Sequence, residues 1–63
     1  MKKKVLIISG GISKERVISL ATGKQVAKEL NKNGYNVQIT EPDFQLIDVI
    51  KSFKPNTIFN ALH

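Results

Sequence analysis

The chain has 63 residues, a formal net charge of +5, 41% hydrophobic and 24% charged residues, one histidine and no cysteine or tryptophan. That composition excludes a disulfide framework, a structural zinc site and a second domain, and no apolar run approaches a membrane span. A unit this small buries only about 60% of the surface its unfolded chain exposes, so it is marginal alone.

The positive charge does not read as a nucleic-acid footprint. Lys2, Lys3 and Lys4 sit at the start and the other basic residues are spread singly, with no basic stretch interleaved with aromatics. The opening "MKKKVLII" has the charge of a signal peptide but too short an apolar run. A cytoplasmic protein without a membrane or nucleic-acid partner is expected.

Val5 to Ile8 is a continuous apolar, β-branched run, the signature of a strand covered on both faces. Gly10 and Gly11 break it. Ser13 is a candidate N-cap for a helix from about Lys14 to Lys32, with Ser19, Leu20, Gly23, Val26, Ala27 and Leu30 on one face. The small members of that face, Ser19 and Gly23, let the helix approach a sheet closely, and Asn33-Gly34 supplies its stop. Tyr35 to Thr40 alternates apolar and polar, as a strand with one wet face does. Glu41-Pro42 ends it, and Asp43 can cap a second helix over Phe44 to Phe53, before Pro55. Thr57 to Leu62 reads as a third strand.

The pattern is βαβαβ, an α/β fold with a parallel three-stranded sheet, right-handed crossovers and a helix on each face. The first strand is apolar throughout and so central; the second alternates and so lies at an edge. That gives the order 2-1-3. Ligands in such sheets bind at the carboxyl ends of the strands where the connections diverge. The Gly10–Arg16 turn lies on one side of that crevice and His63 on the other. Val17, Ile18 and Ala21 form a second apolar flank on the first helix, which two helices and three strands do not cover. Together with the open edge of the third strand, this leads us to expect that residues 1–63 are one part of a larger protein.

The turn has neither the G-x-G-x-x-G nor the P-loop spacing. Glu15 in the first helical turn is favoured as an ion by the helix dipole, and it can be either a helix-start acid or an anchor for a ligand ammonium. Arg16 is expected to pair with a neighbouring carboxylate, and Ser13 to cap rather than attack. No metal set is expected from one histidine, no cysteine and scattered acids.

The run "GGISKERVISLATG", followed by a helix and later by "IFNALH", resembles the N-terminus of the D-alanine–D-alanine ligase family. That family opens with a strand, a Gly-Gly-x-Ser-x-Glu-Arg turn and a Val/Ile-Ser-Leu-x-Ser/Thr-Gly helix start. Gly10, Gly11, Ser13, Glu15, Arg16, Ile18, Ser19, Leu20, Thr22 and Gly23 fit it; position 17, often acidic in the family, is Val17. His63 matches the first residue of the family's His-Gly-x-x-Gly-Glu-Asp-Gly signature.

The resemblance implies a Rossmann-like half-domain that precedes ATP-grasp domains. It also implies a ligase that uses ATP and Mg2+ (or Mn2+) to phosphorylate one D-alanine, whose acyl phosphate is attacked by the amine of a second. Glu15 would then be the catalytic and substrate-binding residue that holds the first D-alanine's ammonium. His63, Gly11 and Ser13 would also contact that substrate, and the full-length enzyme would be a homodimer serving peptidoglycan synthesis. No ATP or metal ligand falls within residues 1–63, so this part alone is expected to be inactive. Two alternatives stay open: a flavodoxin-like or Rossmann-like nucleotide-binding domain, and a non-catalytic module that pairs through its open sheet edge.

Overall fold

The computed structural model describes residues 3–12 and 14–62. In chain order it contains β1 (Lys4–Ile8), α1 (Arg16–Lys32), β2 (Asn36–Thr40), α2 (Leu46–Phe53) and β3 (Thr57–Asn60). The sheet is parallel in the order β2-β1-β3, as the apolar character of β1 and the alternation of β2 predict. Ile8 faces Thr40 on one side and Asn60 on the other, so all three strands end at the same level.

From β1 the connections run first to one edge and then across to the other, so right-handed crossovers put α1 and α2 on opposite faces. Burial agrees. Val5 and Ile7 point to the α1 face, where they pack with Ala27 and Ala61 beside Val26, Leu30, Tyr35 and Val37. Leu6, on the other face, is also fully buried. There the ammonium of Lys4 lies 5.7 Å from the centroid of Phe53 in α2, within cation–π range.

Element ends differ from the sequence expectations by one to two residues, each for a local reason. The first α-type bond runs from Ser19 N–H to the Glu15 carbonyl at 2.9 Å, so α1 begins at Arg16 rather than Lys14. Glu15 is therefore at the N-cap position, not within the first turn. The Ser13 cap expectation lies outside the described residues. At the other end, Gly34 N–H donates to Asn31 and Tyr35 N–H to Leu30, both at 3.1 Å. This is the Schellman arrangement, completed by packing of Tyr35 with Leu30 against the core. Because Tyr35 N–H is used there, β2 starts at Asn36.

The Asp43 side chain accepts from Gln45 N–H at 2.9 Å and its carbonyl from Leu46 N–H at 3.0 Å. These bonds make a turn before the helix, so α2 begins at Leu46 rather than Phe44. It closes at Lys54, which is left-handed (φ 52°) and precedes Pro55. The third strand stops at Asn60, not Leu62, because Leu62 N–H turns back to Asn60 Oδ1 at 2.9 Å.

The core is small and one-sided. Nothing in α2 is fully buried, and every residue of β3 is exposed at its open edge. Val17 and Ile18 are 77% and 55% exposed, so the second apolar flank of α1 is uncovered, as anticipated.

Candidate functional site

The site is assembled where the three strands end. Beyond the strands the ladder continues for one residue on each side: Ser9 N–H donates to Thr40 at 3.0 Å and Ala61 N–H to Ile8 at 2.8 Å. Gly10 and Gly11 then turn the chain toward α1 with φ of +89° and +87°, a region where only glycine is at ease. Gly10 is further constrained, because a Cβ there would stand 2.6 Å from Glu41 Oε1.

Two side chains hold this turn from opposite sides. On the β3 side, Ser19 is fully buried. Its Oγ accepts from Gly10 N–H at 2.8 Å and donates to the Ala61 carbonyl, also at 2.8 Å. One hydroxyl thus ties the turn after β1 to the segment after β3. On the β2 side, Glu41 Oε1 accepts from Gly11 N–H at 3.1 Å while Oε2 accepts from Arg16 Nη2 at 2.7 Å. The Arg16 hydrogen bond, then the Gly11 N–H, hold the Glu41 carboxyl below its ordinary value of 4.5.

Glu15 stands at the start of α1, next to Arg16. It is exposed and sits at the amino end of a 17-residue helix, where the helix dipole favours an anion. A carboxylate so placed can accept hydrogen bonds from a ligand ammonium. Arg16 pairs with a neighbouring carboxylate, as its position suggested. The segment after β3 is brought to the turn: the Leu62 side chain would lie 3.8 Å from a Cβ on Gly11. The expectations for Ser13 and His63 lie outside the described residues.

A recess of about 310 Å3 opens beside the turn, lined by Gly11, Ile12, Arg16, Glu41, Pro42 and Asp43. It is on the β2 side, whereas the sequence placed the ligand between β1 and β3. A nucleotide phosphate at this turn would need free backbone amides. The Gly10 and Gly11 amides it would need are already bonded within the chain, and the Glu41 carboxylate stands beside them. Among the described residues no group of three or more His, Cys, Asp or Glu could hold a metal ion, and no helix is long and apolar enough to cross a membrane.

Sequence reasoning missed Glu41 and the bonding role of Ser19. In the sequence Glu41 marks only the end of a strand. The usable signal was its place just past the end of a strand that pairs with β1. For Ser19 the signal was a hydroxyl on an otherwise apolar or small sheet-facing stripe.

No protein-family model matches the chain. It is 73% identical over its whole length to the D-alanine--D-alanine ligase of Pelagibacter ubique, strain HTCC1062, of which it covers 21%. It is 42% identical over 62 residues to the ligase of Zymomonas mobilis, covering 98% of this chain and 19% of that one. To the ligase of Acidiphilium cryptum it is 48% identical over 63 residues, covering 97% of this chain and 21% of the relative. The chain thus spans about a fifth of the length of the curated relatives it matches. Along nearly its whole length the chain is thus similar to a short stretch of D-alanine--D-alanine ligases.

Proposed function

We propose that this chain is the N-terminal substrate-binding part of an ATP-dependent ligase that joins two D-alanines into D-alanyl-D-alanine for peptidoglycan synthesis in the cytoplasm. The observation that carries the reading is the 73% identity to the Pelagibacter ubique ligase along the whole chain. The exposed Glu15 at the start of α1 supplies its chemistry.

In this reading the Glu15 carboxylate accepts hydrogen bonds from the ammonium of the first D-alanine and orients it at the carboxyl end of the sheet. His63, Gly11 and Ser13 complete that half of the substrate pocket. ATP activates the substrate carboxylate as an acyl phosphate; the amine of the second D-alanine attacks the acyl carbon, and phosphate leaves. The nucleotide and its Mg2+ or Mn2+ are assigned to the four-fifths of the ligase that this chain does not span, since the Gly10 and Gly11 amides of the turn are bonded within the chain. The segment by itself is therefore inactive, and the complete enzyme is read as a homodimer. The same internal bonding of the Gly10 and Gly11 amides speaks against the nucleotide-binding alternative.

The test is the D-alanine dependence of ADP release and dipeptide formation in the ligase that carries this segment. Glu15→Gln is expected to lower kcat/KM for the first D-alanine roughly ten- to a hundredfold, the range for a lost hydrogen bond to a charged group. A normal rate with that variant refutes the role given to Glu15.

A further inference from the structure

We propose that Glu41 is a positioning residue of the D-alanine site: it clamps both ends of the loop that carries Glu15 and keeps the Arg16 charge away from the substrate ammonium. The inference rests on the reading of Glu15 as the ammonium anchor.

The geometry is specific. Glu41 Oε1 takes Gly11 N–H, where the chain leaves β1, and Oε2 takes Arg16 Nη2, where it enters α1. Those two points bracket Glu15 in the sequence. One carboxylate just past β2 thereby sets the phase in which Glu15 meets the helix start. The charge arrangement matters equally. A guanidinium in the residue next to the anchor would repel an incoming ammonium unless something held it. Glu41 pairs with it on the β2 side at 2.7 Å.

As a stability device the pair is a poor one. Both side chains are substantially exposed, at 46% and 38%, and ion pairs this accessible are worth little. An exposed ion pair that also captures a loop amide is better explained by placement than by stability.

The experiment compares Glu15→Gln, Glu41→Gln, Glu41→Leu and the double variant Arg16→Gln/Glu41→Gln in the ligase that carries this segment. The readouts are KM for the first D-alanine, KM for ATP, kcat and thermal midpoint. Gln at position 41 keeps an oxygen for Gly11 N–H but loses the charge, whereas Leu loses both. KM for the first D-alanine is expected to rise roughly fivefold in Glu41→Gln and further in Glu41→Leu, the scale of partly exposed charge interactions. KM for ATP should stay unchanged. Removing the stranded guanidinium in the double variant should recover part of the loss, which a purely structural role would not produce.

If Glu15→Gln is impaired while both Glu41 variants behave as wild type, the proposal fails and the reading of Glu15 stands. If the Glu41 variants lose the thermal midpoint and both substrates together, or the double variant is worse than Glu41→Gln, the role is structural only and the proposal fails. If Glu15→Gln is normal, the reading itself fails and the proposal with it.

Discussion

Replacing Ser19 by Ala removes one oxygen from the interior and leaves two backbone groups without partners. Gly10 N–H and the Ala61 carbonyl each bond to that oxygen at 2.8 Å, and Gly10, Ser19 and Ala61 are all buried. Stranding a buried donor or acceptor costs about 1–3 kcal/mol each, part of which is recovered if a water enters. Alanine returns about 0.5 kcal/mol through its higher helix propensity. The net expectation is a destabilisation of about 2–4 kcal/mol, set against a total on the order of 3–9 kcal/mol for a unit of this size. Urea unfolding of the native protein measures the total, and hydrogen exchange at the Gly10 amide locates it. Ser52→Ala is the control, because Ser52 Oγ only bonds back to Asp48 and Val49 carbonyls on an exposed helix face, and its loss should be neutral within about 0.5 kcal/mol. A Ser19→Ala protein with an unchanged midpoint and unchanged Gly10 protection would refute the claim that this hydroxyl joins the ends of β1 and β3.

Gly23→Ala should destabilise although alanine is the better helix former by about 1 kcal/mol. The new Cβ would stand 2.7 Å from both Cβ and Oγ of Ser9, and overpacking a filled contact costs about 1–3 kcal/mol; a raised thermal midpoint would contradict the close approach of α1 to β1. The Glu41 carboxyl is held below 4.5 in the folded protein, so its contribution to stability is present above the unfolded value and is lost as pH falls through the folded one. An NMR titration of the Gly11 amide should therefore show a midpoint below 4.5, and a midpoint at or above that value would contradict the Arg16–Glu41 pairing.

Strand order was legible because β1 is apolar on both faces while β2 alternates, and that contrast depends only on local pattern. The helix stop at Asn33-Gly34 and the crowding at Gly23 were legible for the same reason: glycine reports a backbone demand at its own position. Ser19 and Glu41 were not. Ser19 meets its acceptor 42 residues away and Glu41 meets Arg16 across 25, and bonds of that span leave no periodic trace. In the pattern Ser19 is merely small, since spacing assigns a face but does not say what a hydroxyl on that face will bond. The helix begins two residues later than the pattern suggests because its first α-type bond runs from Ser19 N–H to the Glu15 carbonyl, which a count of apolar positions does not register. The substrate contacts given to Ser13 and His63 rest on the family resemblance.

The central place of β1 also makes it a ruler. Its five residues are in register with β2 on one side, and Val5 to Ile8 with β3 on the other, and the glycine pair begins one residue past its last ladder bond. Deleting or inserting a single residue in β1 would shift that pair by about 3.3 Å and turn Val5 and Ile7 to the opposite face. Gly10 would leave Ser19 and Gly11 would leave Glu41 in the same stroke. Changes in length among proteins that keep this turn should therefore fall ahead of Lys4 or between β2 and α2, and spare the stretch from Val5 to Gly11.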